Sequence, residues 1–206
     1  MKTVQSILNG FVLAGGKSKR MGRDKSSIQW HGKEQQYYMA DLLKPFCNKV
    51  YISHRQGQEA QTDRNYKTLI DTYTGIGPYG AILSAFRFQP DAAWLVVACD
   101  LPLLDADILK YLLTNRNMNA MATTFQSPHD GLPEPLITIW ESKSQEVLLS
   151  YLSNGYTCPR KVLIKSDDVH ILQPPHSNAL MNVNTPEDFK KAEQIIIQNH
   201  ELHNAG

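Results

Sequence analysis

The sequence has little that would tie it to a membrane, a disulfide scaffold or a nucleic acid. Its three cysteines, Cys47, Cys99 and Cys158, are far apart and odd in number. They supply neither a disulfide framework nor paired zinc-ligand spacing, and read as small, partly buried apolar residues of a reducing compartment. No stretch approaches the roughly 18 consecutive apolar residues of a membrane span. Residues 1–10, with one lysine and no long apolar core, do not read as a secretory signal. Lys and Arg number 21 against 20 Asp and Glu, a net charge of +1, too small a surplus for a protein that binds nucleic acid by neutralising phosphates. Internal repeats, low-complexity tracts and long linkers are also missing. At 206 residues, 42% of them hydrophobic, the chain is expected to form one domain over 1–206, cytoplasmic and monomeric, with a substantial core.

Two common phosphate-loop fingerprints are missing as well. A Walker loop needs G-x-x-x-x-G-K-[ST]; counted from Gly15 or Gly16, Arg20 or Met21 occupies the second glycine position. The dinucleotide fingerprint G-x-G-x-x-G fails because Gly15 and Gly16 are adjacent. What stands there instead is an apolar run, Phe11 to Ala14, that reads as the end of a buried strand. A glycine pair follows, and then five cations, Lys17, Lys19, Arg20, Arg23 and Lys25. Glycines permit close backbone approach, and successive N–H groups in such a turn make a concave anion site. The combination suits a polyphosphate; the bland alternative is a tight turn followed by a solvated basic segment.

The remaining pattern alternates strands and helices, as in an α/β sheet with parallel strands. Strands are expected at 6–14, 49–53, 68–70, 93–99, 120–125, 136–140 and 169–172, with a short extended piece at 27–30. Helices are expected at 34–46, 81–88, 105–114 and 145–153, and from Pro186 to beyond Ile197. Ala93–Cys99 is apolar throughout, which calls for cover on both faces. It ends at Asp100. In open α/β sheets ligands sit beyond the carboxyl ends of strands, and Mg²⁺ favours a few carboxylates combined with substrate phosphates. Asp100 is therefore a candidate metal ligand. Asp105 is the better cap for the next helix, which leaves Asp100 free for that role.

Asp71 ends another strand candidate and opens a loop, 71–80, with three glycines and a proline. The loop reads either as an ordinary connection or as a base-binding segment. A carboxylate can accept from both N1–H and the exocyclic amine of guanine, a pair of donors that cytosine and adenine do not present together. Near the end of the chain, Thr185-Pro186-Glu187-Asp188 is explained by helix capping alone. Asn182 and Asn184 are not; alternating along an extended segment, they share one face. Glu134, in the segment Leu132 to Leu136, reads equally as an acceptor-site residue or a loop charge. Arg160 and Lys161 open a short helix or turn and read either as contacts for an anionic acceptor or, taken alone, as a solvated basic pair.

Taken whole, Leu13-Ala14-Gly15-Gly16-x-Ser18-x-Arg20-Met21-Gly22-x-Asp24-Lys25 resembles the signature loop of the molybdenum cofactor guanylyltransferases. Cys99-Asp100-Leu101-Pro102 is similar to that family's metal-binding Asp-x-Pro. Gly77-Pro78-Tyr79-Gly80 looks like its Gly-Pro-Leu-Ala-Gly, shortened by a residue, and Asn182-x-Asn184-Thr-Pro-Glu-Asp is like its closing motif. The resemblance runs from residue 7 to about 197 and is poor over 126–180. It implies a single Rossmann-like three-layer α/β domain of the nucleotidyltransferase fold, with a mostly parallel sheet between helices. It further implies transfer of GMP from GTP to molybdopterin, with Mg²⁺ and cofactor-delivery proteins as partners. The N-terminal part would bind the nucleotide through Leu13, Ala14, Gly15, Gly16, Lys25, His54, Asp71, Gly77, Gly80 and Asp100. Arg20, Lys25 and Asp100 would be catalytic, and Asn182 and Asn184 in the C-terminal part would bind the acceptor. Where the family often has Asn before Arg, this chain has His54 before Arg55. Two other readings stay open: a related transferase using CTP or UTP, or a sugar or polyol phosphate acceptor; and a non-catalytic nucleotide-binding protein that delivers the cofactor.

Overall fold

In the computed structural model, which describes residues 7–14, 25–57 and 62–204, seven strands form one sheet in the order β3-β2-β1-β4-β6-β5-β7. The strands are β1 (Leu8–Leu13), β2 (Val50–His54), β3 (Lys67–Ile70), β4 (Ala93–Ala98), β5 (Ala122–Gln126), β6 (Pro133–Trp140) and β7 (Val169–Leu172). The helices are α1 (Gln35–Leu43), α2 (Pro78–Phe88), α3 (Ala106–Thr114), α4 (Ser144–Ser153), α5 (Pro159–Lys165) and α6 (Pro186–Asn204). Every neighbouring pair is parallel except those of β6, which runs antiparallel to both β4 and β5. The short extended piece expected at 27–30 is reduced to a single bridge residue. Lys25–Ser27 is a single 3₁₀ turn, and Gln29 makes one isolated antiparallel bridge to Glu34.

Alternation along the strands divides the core between two layers. Leu8, Val12, Ile52, Leu95 and Val97 face one side, packed with Met39 and Leu43 of α1 and Ile108, Leu109 and Leu112 of α3. Phe11, Tyr51, Leu69, Trp94, Val96 and Trp140 face the other, packed with Ile82 and Phe86 of α2, Leu148 of α4 and Val162 of α5. Central β4 is buried from end to end, so apolarity on both faces follows from its place between two helical layers. Gly10 lets α1 lie close on β1: a Cβ there would stand 3.1 Å from the Leu43 side chain and 3.2 Å from Cys47 Sγ. Burial pushes the Cys47 thiol up to about 12, which makes it a poor nucleophile. Among the described residues no helix is long and apolar enough to cross a membrane.

The main departure from expectation is in β6. Pro133 and Pro135 argue for a loop, since proline cannot donate to a ladder, yet the strand begins at Pro133. The register shift makes this possible. Thr124 pairs with Thr138 but Gln126 pairs with Pro133, so β6 bulges across Glu134–Ile137. The Glu134 carbonyl, left out of the ladder, accepts from the hydroxyls of Thr124 and Thr138, each at 2.6 Å. The other end of this region is fixed by a largely buried ion pair. Arg116 Nε and Nη2 donate to Glu141 Oε1 and Oε2 at 2.6 and 2.8 Å, a bidentate arrangement of the strongest protein type.

Candidate active site at the carboxyl ends of the strands

The parallel strands β1, β2, β3 and β4 end on the same side of the sheet, and the candidate residues sit at or just past those ends. Leu13 closes β1, and its carbonyl accepts from Cys99 N at 3.3 Å; Leu13 and Ala14 are half-buried. Gly15, Gly16 and Arg20 lie outside the described residues, as does the side chain of Lys25. The segment after that loop is clamped in place. The His31 ring bonds the Pro102 carbonyl at 2.9 Å and stacks on Tyr38, with ring centroids 3.9 Å apart. Trp30 packs on Phe189 at 4.3 Å. Residues 30 and 31 thus bridge the turn after Asp100 and the start of α6. The Trp30–Phe189 packing and the His31–Pro102 bond have no local signature, because each joins residues far apart in the chain.

Asp100 follows β4 directly and is half-buried, with Oδ1 shielded from solvent. Asp105 does cap α3, its side chain accepting from Ile108 N at 2.9 Å, so Asp100 is not needed for that. The Asp100 carbonyl accepts from Val183 N at 2.9 Å, which brings the Asn182–Asn184 segment against the end of β4. Asn182 is half-buried and Asn184 exposed. The segment is anchored by a reciprocal cap: Asp188 Oδ2 accepts from Asn184 N and Thr185 N at 3.0 and 2.9 Å, and Thr185 Oγ1 accepts from Asp188 N at 3.1 Å.

Asp71 comes one residue after β3, and its N–H continues the ladder to the His54 carbonyl at 2.8 Å. The structure puts Asp71 and His54 at adjacent strand ends but on opposite faces. Ser53 Oγ donates to Asp71 Oδ1 at 2.9 Å, on the face that Ser53 shares with its register partner Leu69. The His54 ring is on the other face, buried, and bonded to Thr62 Oγ1 at 2.6 Å. Burial holds the Asp71 carboxyl above the usual carboxylate range; the Ser53 bond and the charge of Arg55 pull the other way.

The turn beyond Asp71 is held by one hydroxyl. Ser84 Oγ accepts from Thr72 N at 2.8 Å and from Tyr73 N at 3.3 Å, and donates to the Gly80 carbonyl at 2.7 Å. Gly77, with φ 57°, is the N-cap of α2. Gly80 has its own packing reason to be glycine: a Cβ there would stand 2.0 Å from the Tyr73 carbonyl oxygen. Neither Ser53 nor Ser84 stands out in the sequence: Ser53 sits between Ile52 and His54, and Ser84 is one small polar residue in an apolar run.

At the opposite flank, β6 runs antiparallel to β4 with Val97 paired to Ile137, so the Glu134 bulge lies past the carboxyl end of β4. Glu134 is not a solvated loop charge. Its carboxylate pairs with Arg160 Nη2 at 2.8 Å, and Arg160 Nη1 pairs with Asp130 at 2.8 Å. Arg160 is accordingly fixed between two carboxylates rather than free in solvent.

Asp100 suits a divalent cation in kind: one hard-oxygen donor, shielded on one side, at the strand ends where phosphates would lie. No group of three or more His, Cys, Asp or Glu able to hold a metal occurs among the described residues. Mg²⁺ needs no such cage when substrate phosphates and water complete its octahedron.

Residues 10–169 match the family described as the MobA-like NTP transferase domain. A molybdenum cofactor biosynthesis bifunctional protein from Synechocystis is 33% identical over 186 residues, covering 90% of this chain and 53% of that protein. The chain thus spans about half the length of this relative. A molybdenum cofactor guanylyltransferase from Shewanella baltica is 29% identical over 195 residues, covering 91% of this chain and 96% of that one. Among solved structures, molybdopterin-guanine dinucleotide biosynthesis protein A from Archaeoglobus fulgidus superposes with a TM-score of 0.76 at 21% identity, over 92% of this chain and 99% of that one.

Proposed function

The chain belongs to the MobA-like NTP transferase family, and from that premise we propose that it transfers GMP from GTP to the phosphate of molybdenum-bearing molybdopterin, releasing pyrophosphate. One observation carries the reading. The Asn182–Asn184 segment is stitched to Asp100 by the Val183–Asp100 backbone bond, so the acceptor motif meets the strand that ends in the phosphate-side carboxylate.

In this reaction an acceptor phosphate oxygen attacks the α-phosphorus of GTP. A new P–O bond forms there as the bond to the bridging oxygen of pyrophosphate breaks. The nucleophile is already an anion, so no general base is required; catalysis rests on positioning and on charge stabilisation. Leu13, Ala14, Gly15 and Gly16 carry the nucleotide at the end of β1. Arg20 and Lys25 neutralise charge on the triphosphate and the leaving pyrophosphate. Asp71 accepts from N1–H and the exocyclic amine of guanine, with Gly77 and Gly80 shaping the turn beside it. His54, tied to Thr62, flanks the nucleotide from the other face. Asn182 and Asn184 orient the acceptor. Asp100 would hold Mg²⁺, which when bound supplies positive charge to the phosphate oxygens. The N-terminal part then serves the nucleotide and the C-terminal part the acceptor, in a cytoplasmic setting where GTP is supplied.

Calorimetric titration with each nucleoside triphosphate in the presence of Mg²⁺ tests the donor. GTP alone should bind tightly; tighter binding of CTP or UTP would overturn the assignment and favour a cytidylyl or sugar-phosphate transferase.

A further inference from the structure

The Asp71 carboxylate carries a hydrogen bond from a buried hydroxyl on the neighbouring strand. Ser53 is 2% exposed, near the carboxyl end of β2. Its backbone is locked in register with Leu69 of β3, so its Oγ has a fixed origin. That Oγ donates to Asp71 Oδ1 at 2.9 Å. The Asp71 main chain is fixed on one side by its N–H bond to the His54 carbonyl. On the other it is fixed by the Ser84 hydroxyl under Thr72 and Tyr73. With the main chain held, what remains free is rotation of the carboxylate about its own side-chain bonds.

A hydroxyl has one proton to give. Donated to Oδ1, it selects the carboxylate rotamer and leaves the second lone pair of Oδ1 and both of Oδ2 as acceptors. Guanine presents two parallel donors and needs both oxygens at once. A carboxylate that turns freely meets that demand only part of the time, and the ordering cost then falls on binding. We propose that Ser53 is a positioning residue for base selection, holding the Asp71 carboxylate in the orientation that accepts both donors of guanine. The inference rests on Asp71 as the residue that reads the base.

The experiment compares GTP with inosine triphosphate, which lacks the exocyclic amine, by calorimetric titration with Mg²⁺ on the whole chain. The wild type should bind GTP more tightly than inosine triphosphate. Ser53→Ala should lower GTP affinity by about tenfold, the order expected for one hydrogen bond to a charged group, and inosine triphosphate affinity by less, so the ratio contracts. Ser53→Thr keeps the hydroxyl on a strand-favouring side chain and should restore the ratio. A merely structural hydroxyl would weaken both nucleotides equally or neither. If Asp71→Asn collapses the ratio while Ser53→Ala leaves it unchanged, the inference about Ser53 fails and the base reader stands. If Asp71→Asn leaves the ratio unchanged, Asp71 does not read the base and both fall.

Discussion

Val183 N–H donates to the Asp100 carbonyl at 2.9 Å, joining a segment near the end of the chain to the end of the central strand. Val183 is itself buried, so the neighbouring asparagines are set on a fixed point. This single bond brings together two motifs that lie more than 80 residues apart in sequence.

The reciprocal cap at Asp188 should therefore matter for the acceptor more than for the nucleotide. Asp188→Ala removes the acceptor for Asn184 N and Thr185 N. Loss of such a cap costs about 1 kcal/mol, which for a chain of this size lowers Tm by roughly 2–4 °C. The KM for molybdopterin should rise while GTP affinity measured by titration stays at the wild-type value. A change in GTP affinity instead would separate the cap from the acceptor side.

Asp71 should trade stability for recognition. Burial raises its carboxyl above the usual range, so the folded state holds the proton more tightly than the unfolded chain does. Its favourable contribution is complete below the ordinary carboxylate value and is lost as pH rises through the raised one; at pH 7 the ionised side chain costs stability. Asp71→Asn, neutral throughout, should melt higher than the wild type at pH 7 without nucleotide, and the gap should close as the pH is lowered through the raised carboxyl value. The same variant should lose its preference for GTP. A variant that melts lower at pH 7 would contradict the desolvation argument.

Gln35 is fully buried on the stripe of α1 that also carries Met39 and Leu43, and among the described residues neither polar atom of its amide has a hydrogen-bond partner. Each unsatisfied buried group costs about 1–3 kcal/mol. Gln35→Leu keeps a similar volume and removes the cost, so the melting temperature should rise by several degrees, on the scale of roughly 2–4 °C per kcal/mol. A fall in Tm would show that the amide is bonded in the folded protein.

Gly80→Ala places a methyl group 2.0 Å from the Tyr73 carbonyl oxygen, and backbone must move. Overpacking of this kind costs about 1–3 kcal/mol. The displaced turn carries Asp71, so GTP affinity should fall together with Tm. Wild-type affinity in a folded Gly80→Ala variant would show that the turn does not hold the base.

The sheet's parallel half could be read from the chain because β4 is a continuous apolar run with a sharp end and β1 closes in a shorter one, Phe11–Leu13. Asp105 as a cap and Thr185-Pro186 as a helix start were legible because capping is local chemistry. The antiparallel β6 was not. Its neighbours β4 and β5 are set by register, and two prolines hide its beginning inside a bulge. The Arg160 trio with Glu134 and Asp130 was hidden for the same reason, since it joins a loop, a bulge and a short helix. At the candidate site, Asp100 stood out as an acid ending an apolar strand, and Asp71 as an acid between a strand and a glycine-rich loop. Ser53 did not, because its meaning comes only from the carboxylate across the neighbouring strand.

Guanylyl transfer is tested most directly by incubating the protein with Mg²⁺, molybdopterin and GTP labelled at the α-phosphate. The label should enter a pterin product in step with pyrophosphate release, and CTP, UTP and ATP labelled in the same way should give none. Label transferred from CTP or UTP, or pyrophosphate released only with a sugar phosphate as acceptor, would contradict the assignment.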